Sequence, residues 1–254
     1  MSQLRSTAVV TLVLLGMLGL PAVRAEPGAE GDRIIARMDR RMSNAEDQSF
    51  RYAMTTRIQG QQDRRIEFTV QIKGDQWRRL EFHSPGDVRG MRVLILSQSK
   101  MYIYLPAFRK VRRVATHVRD QGFMGSAYSH DDMSAVTYGD KMTGKLLDES
   151  DTHWTVEATR RPGSGYRYAR IVFEILKDVQ QPSRIEYFND EGRKVKSETR
   201  RVYECRGEFC NAREMTLTDH TRNDLSSTLT RLDWQVNTGL SDAHFTVRSL
   251  QRRR

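Results

Sequence analysis

Residues 66–83 read IEFTVQIKGDQWRRLEFH. Ile66, Phe68, Val70 and Ile72 alternate with Glu67, Thr69, Gln71 and Lys73, and Leu80 and Phe82 alternate with Arg79, Glu81 and His83. Successive strand residues point to opposite faces, so this period of two marks strands with one apolar and one polar side. A charge placed at Phe68 or Phe82 would be buried without a partner. The polar-face positions Thr69 and Glu81 should tolerate substitution.

Outward from this pair the pattern repeats. Phe50, Tyr52, Met54, Thr56 and Ile58 precede it. Residues 93–96 are continuously apolar, which predicts a strand covered on both faces. Further strands are predicted over 101–105, 152–160, 169–176, 184–188, 195–203, 208–219 and 227–236. The exception is 30–42, where Ile34, Ile35, Met38 and Met42 share one face at helical spacing and Glu30 and Asp32 suit a helix N-terminus.

About ten to eleven strands with turn signals between them imply a mainly β fold with one large antiparallel sheet. So wide a sheet curls or splits. A curled, open half-barrel closed by the N-terminal helix and a short helical loop at 121–133 is the economical arrangement, with a β-sandwich as the alternative. Ser84-Pro85-Gly86 and Pro162-Gly163-Ser164-Gly165 are the sharpest turns, and no linker or internal repeat divides the chain.

Residues 1–25 read as a signal peptide. Arg5 gives the positive start, residues 9–20 are apolar, and Val23-Arg24-Ala25 precedes a cut ahead of Glu26. Residues 26–254 then form a single domain, within the roughly 200–250 residues that one β domain commonly reaches. The chain carries 42 Lys+Arg against 32 Asp+Glu. Without Arg5 and Arg24 the balance is 40 against 32, or +8. A basic surface suits nucleic acid, anionic headgroups or an acidic protein, and export disfavours the first.

Residues 104–133, YLPAFRKVRRVATHVRDQGFMGSAYSHDDM, hold the least ordinary loop. A basic run, Arg109, Lys110, Arg112 and Arg113, leads into Phe123 and Met124 between Gly122 and Gly125. A surface loop with such apolar side chains buries them or presents them to a partner. It is a plug in the core, or a lid over an apolar cavity.

Chemistry-bearing constellations are sparse. Cys205 and Cys210, the only cysteines, flank a hairpin turn near Arg206-Gly207, and in an exported chain they predict a disulfide. His130, Asp131 and Asp132 are too close in sequence to converge on one ion, and Ser129 capping a short turn explains the acids. His83, Ser84 and Asp87 fall in a turn with no oxyanion arrangement. No G-x-S-x-G, H-E-x-x-H or phosphate-cradling loop is present. These readings predict no enzyme, no metal and no cofactor.

Several stretches carry a resemblance: Phe82-x-Ser84-Pro85-x-Asp87-x-x-Gly90, Tyr102-x-Tyr104-Leu105-Pro106, Arg112-Arg113-Val114, Phe123-Met124-Gly125-Ser126, Asp131-Asp132, and Asp242-x-x-Phe245-Thr246-Val247-Arg248-x-Leu250. Together they resemble the LolA-like outer-membrane lipoprotein-sorting proteins, over most of residues 26–254. The resemblance implies the half-barrel and, with the export signal, the periplasm. By alternation the concave face carries Phe68, Val70, Leu80, Phe82, Trp154, Phe173 and Tyr187, which fill the interior or line a cavity. The resemblance implies the cavity. The expected protein is a monomeric, non-enzymatic carrier for lipid or lipoprotein acyl chains. Phe123 and Met124 would gate it, the 109–113 cations would meet a headgroup or partner, and an inner-membrane transporter is a possible companion. An envelope sensor or adaptor that binds protein through the same fold is the alternative. A hydrolase would need a nucleophile that the sequence does not offer.

Overall fold

The computed structural model describes residues 27–58, 60–75, 77–97, 100–115, 122–133 and 137–252. The signal-like segment and Gln121 lie outside them. The described residues form one helix, α1 (Pro27–Ser43), and thirteen strands: β1 (Asp47–Arg57), β2 (Arg64–Lys73), β3 (Trp77–Ser84), β4 (Arg92–Ser97), β5 (Lys100–Leu105), β6 (Lys110–Arg113), β7 (Met142–Glu149), β8 (His153–Arg160), β9 (Arg170–Leu176), β10 (Gln181–Phe188), β11 (Lys194–Arg206), β12 (Phe209–Asp219) and β13 (Leu225–Val236). All belong to one antiparallel sheet of order β6-β5-β4-β3-β2-β1-β13-β12-β11-β10-β9-β8-β7. The sheet is two meanders joined where β1 pairs with β13, and it does not close, because β6 and β7 are its two edges.

The count exceeds the sequence expectation by these two edge strands. Neither alternates cleanly. The four residues of β6 are three cations and one valine, with the cations exposed, and in β7 only Met142 and Gly144 are buried. A strand at an edge is specified by its one neighbour more than by a buried face.

Elsewhere the alternation is realised in the register. Phe68 pairs with Phe82 across β2 and β3, both fully buried, with ring centroids 5.3 Å apart. Phe50 of β1 stacks on Trp234 of β13 at 6.1 Å. β4 is covered on both faces as its apolar run requires. Val93 and Ile95 enter the main core, while Leu94 packs with Phe245 and Leu250 of the C-terminal 3-10 turns Asp242–Phe245 and Val247–Leu250. One expectation fails: Glu81 is not a tolerant surface position. Its carboxylate lies 3.2 Å from buried Arg79 and 3.3 Å from buried Arg92.

Two carboxylates tie the elements together. Asp47 at the start of β1 accepts hydrogen bonds from the backbone N–H groups of Thr238, Gly239 and Leu240 and from the Thr238 hydroxyl. This anchors the chain beyond β13. In α1, Ile34, Ile35 and Met38 are buried, and Asp32 accepts a 2.7 Å hydrogen bond from the Gly144 N–H. The helix therefore covers edge β7, and one of that edge's amides is satisfied by a helix side chain.

Candidate functional site

The chain leaves edge β6 and re-enters the sheet at edge β7. The described part of this crossing, 122–133, descends onto the concave face. Phe123 sits in a 3-10 turn (Phe123–Gly125), fully buried, 5.8 Å from the Phe82 ring and edge-on to His130 at 5.1 Å. The segment is pinned to the β11–β13 half. The Ala127 N–H donates to Ser227 Oγ at 3.0 Å, Arg222 donates to the Ser126 carbonyl, and the Lys196 ammonium donates to the Ala127 carbonyl and to Asp132. In this structure Phe123 is buried against Phe82, as the plug alternative expects.

Beside this plug remains a cavity of about 190 Å³. Its apolar wall comes from β1 to β3, with Phe50, Phe68, Val70 and Leu80, and from Leu217 and Leu229 opposite. Asn44 is exposed, and Met42, Gln48, Phe209 and Asn211 are half-buried. The cavity thus opens where α1 ends and β12 begins. The Cys205–Cys210 disulfide joins residues facing each other across β11 and β12 at this end.

Among the apolar residues named from the sequence, Phe68, Val70, Leu80 and Tyr187 line the cavity. Phe82, Phe123 and Phe173 do not. Phe82 and Phe123 are buried against each other where the crossing fills the concave face, and Phe173 packs edge-on to Tyr138 at 4.9 Å. Met124 is half-buried against the core at φ 52°. Trp154 lies beyond the cavity, where its ring meets Arg37 and Lys177 and its N–H donates to Glu149. Arg109, Lys110, Arg112 and Arg113 line no part of it, because they occupy edge β6 and its turn. His83 bonds Thr69 and Asp87 pairs with Arg64, so the 83–87 trio does not converge. Among the described residues no three His, Cys, Asp or Glu side chains gather as a metal site.

Apart from Tyr187, the polar wall was missed from sequence. It holds Arg41, Arg78, Arg200, Asp132 and Glu198, with the tyrosines Tyr52, Tyr128, Tyr138, Tyr166 and Tyr187. Arg78 is in phase with Leu80 and Phe82, and Lys196, Glu198 and Arg200 alternate along β11, so period two held the signal in its charges. Burial pulls the Arg78 guanidinium down to about 10, against the opposing pull of Tyr138 and Tyr52. Burial also opposes charge on Arg200, but Glu198, 2.7 Å away, holds its pKa well above the usual value. For Asp132, burial is outweighed by Lys196, and its carboxyl stays below the usual range. Burial pushes Tyr138 up to about 12, and Tyr128 and Tyr187 well above the ordinary value. All five tyrosines are therefore neutral hydroxyls at pH 7, which can donate.

A family model described as "uncharacterized protein" matches residues 74–252. No curated protein matches the chain. Among solved structures, the chain is similar to a DUF1329 family protein from Desulfovibrio piger, at 24% identity and a TM-score of 0.82, covering 89% of this chain and 100% of that one. It is similar to a protein domain from Vibrio parahaemolyticus described as outer membrane lipoprotein-sorting, at 21% identity and 0.78, with coverage of 89% and 100%. It is also similar to a LolA superfamily protein from Nitrosomonas europaea, at 16% and 0.72, with coverage of 86% and 98%. At these identities the structural likeness speaks for the fold. The family match spans well over half of the 254 residues: the chain belongs to that family, and its fold is LolA-like.

Proposed function

We propose that the protein is a non-enzymatic periplasmic carrier that shields the acyl part of a lipid or lipid-modified cargo from water. One observation carries this reading: a cavity with a continuous apolar wall is held open between the concave sheet face and the crossing segment of a LolA-like half-barrel. Each CH₂ moved from water to such a wall contributes about 0.8 kcal/mol. The cavity is somewhat larger than an engineered cavity of about 150 Å³ that holds benzene. It receives part of one chain as it stands, and a longer chain requires the 128–133 wall to move outward. The reading includes residues 1–25 as the export signal, residues 26–254 as the carrier domain, and action as a monomer. In it Arg109–Arg113 serve a partner, such as an inner-membrane transporter, and not the cavity.

The adaptor reading is favoured by a different observation. β6 ends the sheet with exposed cations, and an edge strand can add a partner's strand. The two are separated by purifying residues 26–254, extracting bound molecules and identifying them by mass spectrometry. Delipidated protein is then titrated with a fluorescent acyl probe. The carrier reading expects co-purified lipid and saturable probe binding. Neither lipid nor probe binding would overturn it.

A further inference from the structure

The polar wall is a poor fit to a purely hydrocarbon cargo. Burying a charged group is costly unless it is paired and hydrogen-bonded, yet this cavity is lined by three guanidinium groups against two carboxylates, a balance of +1. Both carboxylates are already engaged by protein groups. Asp132 accepts from the Lys196 ammonium, from the Tyr168 hydroxyl at 2.7 Å and from the Ser129 N–H at 2.7 Å. Glu198 accepts from Arg200 Nε at 2.7 Å and from the Tyr187 hydroxyl at 3.2 Å.

A second, independent observation points the same way. The Tyr128 hydroxyl is buried on a residue only 6% exposed, lines the cavity and has no hydrogen-bond partner among the described residues. The Nε of Arg41 is likewise buried and without a partner. The Arg41 nitrogen can only donate and the Tyr128 hydroxyl can donate as well as accept, so a single acceptor group could satisfy both. Arg78 donates to the Met133 carbonyl and Arg41 to Cys210 Sγ at 3.9 Å, and both guanidinium groups line the same cavity as Tyr128. The cavity is also too small for several chains at once.

We infer that the cavity selects an anionic amphiphile, a single apolar body carrying one carboxylate or phosphate head, with the head received by Arg78, Arg41 and the Tyr128 hydroxyl and the body against Phe68, Val70 and Leu80. Guanidinium groups recognise both oxyanions through paired N–H donors. This inference rests on the carrier reading and narrows it: a neutral acyl chain would bind less well than an acid of the same length.

The test is displacement of the acyl probe from residues 26–254 by decanoate, decyl phosphate, decanol and inorganic phosphate. Decanoate and decyl phosphate should each displace at a concentration at least tenfold below that of decanol, and inorganic phosphate should fail. Tyr128→Phe and Arg78→Met should each reduce the preference for decanoate over decanol to threefold or less. Tyr128→Phe guards against misfolding, because it removes only the partnerless hydroxyl and should melt at or above the wild-type temperature. Decanol matching decanoate overturns the anionic head and leaves the carrier reading standing. Inorganic phosphate competing as well as decyl phosphate overturns the amphiphile and marks a simple anion site. No displacement by any of them, with no probe bound, overturns both readings.

Discussion

Gly31 of α1 and Gly144 of β7 meet backbone to backbone. A Cβ added at Gly31 would lie 2.4 Å from the Lys145 amide nitrogen, and one added at Gly144 would lie 2.6 Å from the Gly31 carbonyl carbon. Apart from Ile35 Cδ1 at Gly144, the atoms in the way are backbone, so the helix and the edge strand would have to part. Gly31→Ala should cost about 1–3 kcal/mol. Gly28→Ala, with nothing within 4 Å, should stay within about 0.5 kcal/mol. Urea melts of the two variants check this, and equal midpoints would refute the close approach.

Asp39, also in α1, gives a pH signature. Its carboxylate accepts from the Tyr138 and Gly139 N–H groups, but burial pushes its pKa up to about 6, with Asp140 adding to the rise and Lys141 opposing it. The folded protein therefore takes up a proton near pH 6, while the unfolded chain does so only near 3.8. This contribution to stability is full below pH 3.8 and is lost as pH rises through 6, on the order of 3 kcal/mol. Between pH 4.5 and 7.5 wild type should lose about 2 kcal/mol of it relative to Asp39→Asn. Parallel melting curves for the two proteins across that range would contradict it.

The register of β2 and β3 is checked by four substitutions. Phe68→Asp and Phe82→Asp each bury an unpaired charge beside the other ring and should cost at least about 4 kcal/mol. Thr69→Asp should cost no more than about 1 kcal/mol. Glu81→Lys should be severe despite its polar-face position, since it leaves Arg79 and Arg92 without this carboxylate and adds a third cation. A mild Glu81→Lys in thermal melts would dissolve that ion-pair assignment.

Phe123→Ser distinguishes a plug from a gate. Truncating a fully buried Phe costs about 3–5 kcal/mol. The variant should therefore melt much earlier, while the fraction still folded binds the acyl probe as wild type does. Preserved stability with weakened binding would restore the gate.

Legibility followed the physics of each position. Strands with one dry face announce themselves, so β2, β3 and the two-sided β4 could be placed from Ile66, Phe82 and Leu94 alone. Edges β6 and β7 have no such face, and their pairing is known only from the neighbour. At the site, the apolar lining residues Phe68, Val70 and Leu80 follow from alternation. Phe82 and Phe173 share that pattern, yet they are buried where the crossing segment or Tyr138 fills the space. Which part of a concave face stays open depends on where a non-local loop lands, and alternation carries no such information. Arg78 and Glu198 were passed over because charge on a strand normally signals water. Here the charges sit among tyrosines on the dry side.

The order of the sheet also sets how the chain can assemble. Every strand pair except β1 with β13 joins neighbours in sequence, so each meander is rich in local contacts, while the central seam unites residues such as Gln48 and Val236 from opposite ends of the chain. Among the strand pairs, long-range loop closure weighs on that seam alone. The two halves are thus natural folding units, and a chain of residues 26–254 nicked between β6 and β7 should remain a non-covalent pair. Its cohesion would lie in the β1–β13 ladder, the Phe50–Trp234 stack and the carboxylate of Asp47.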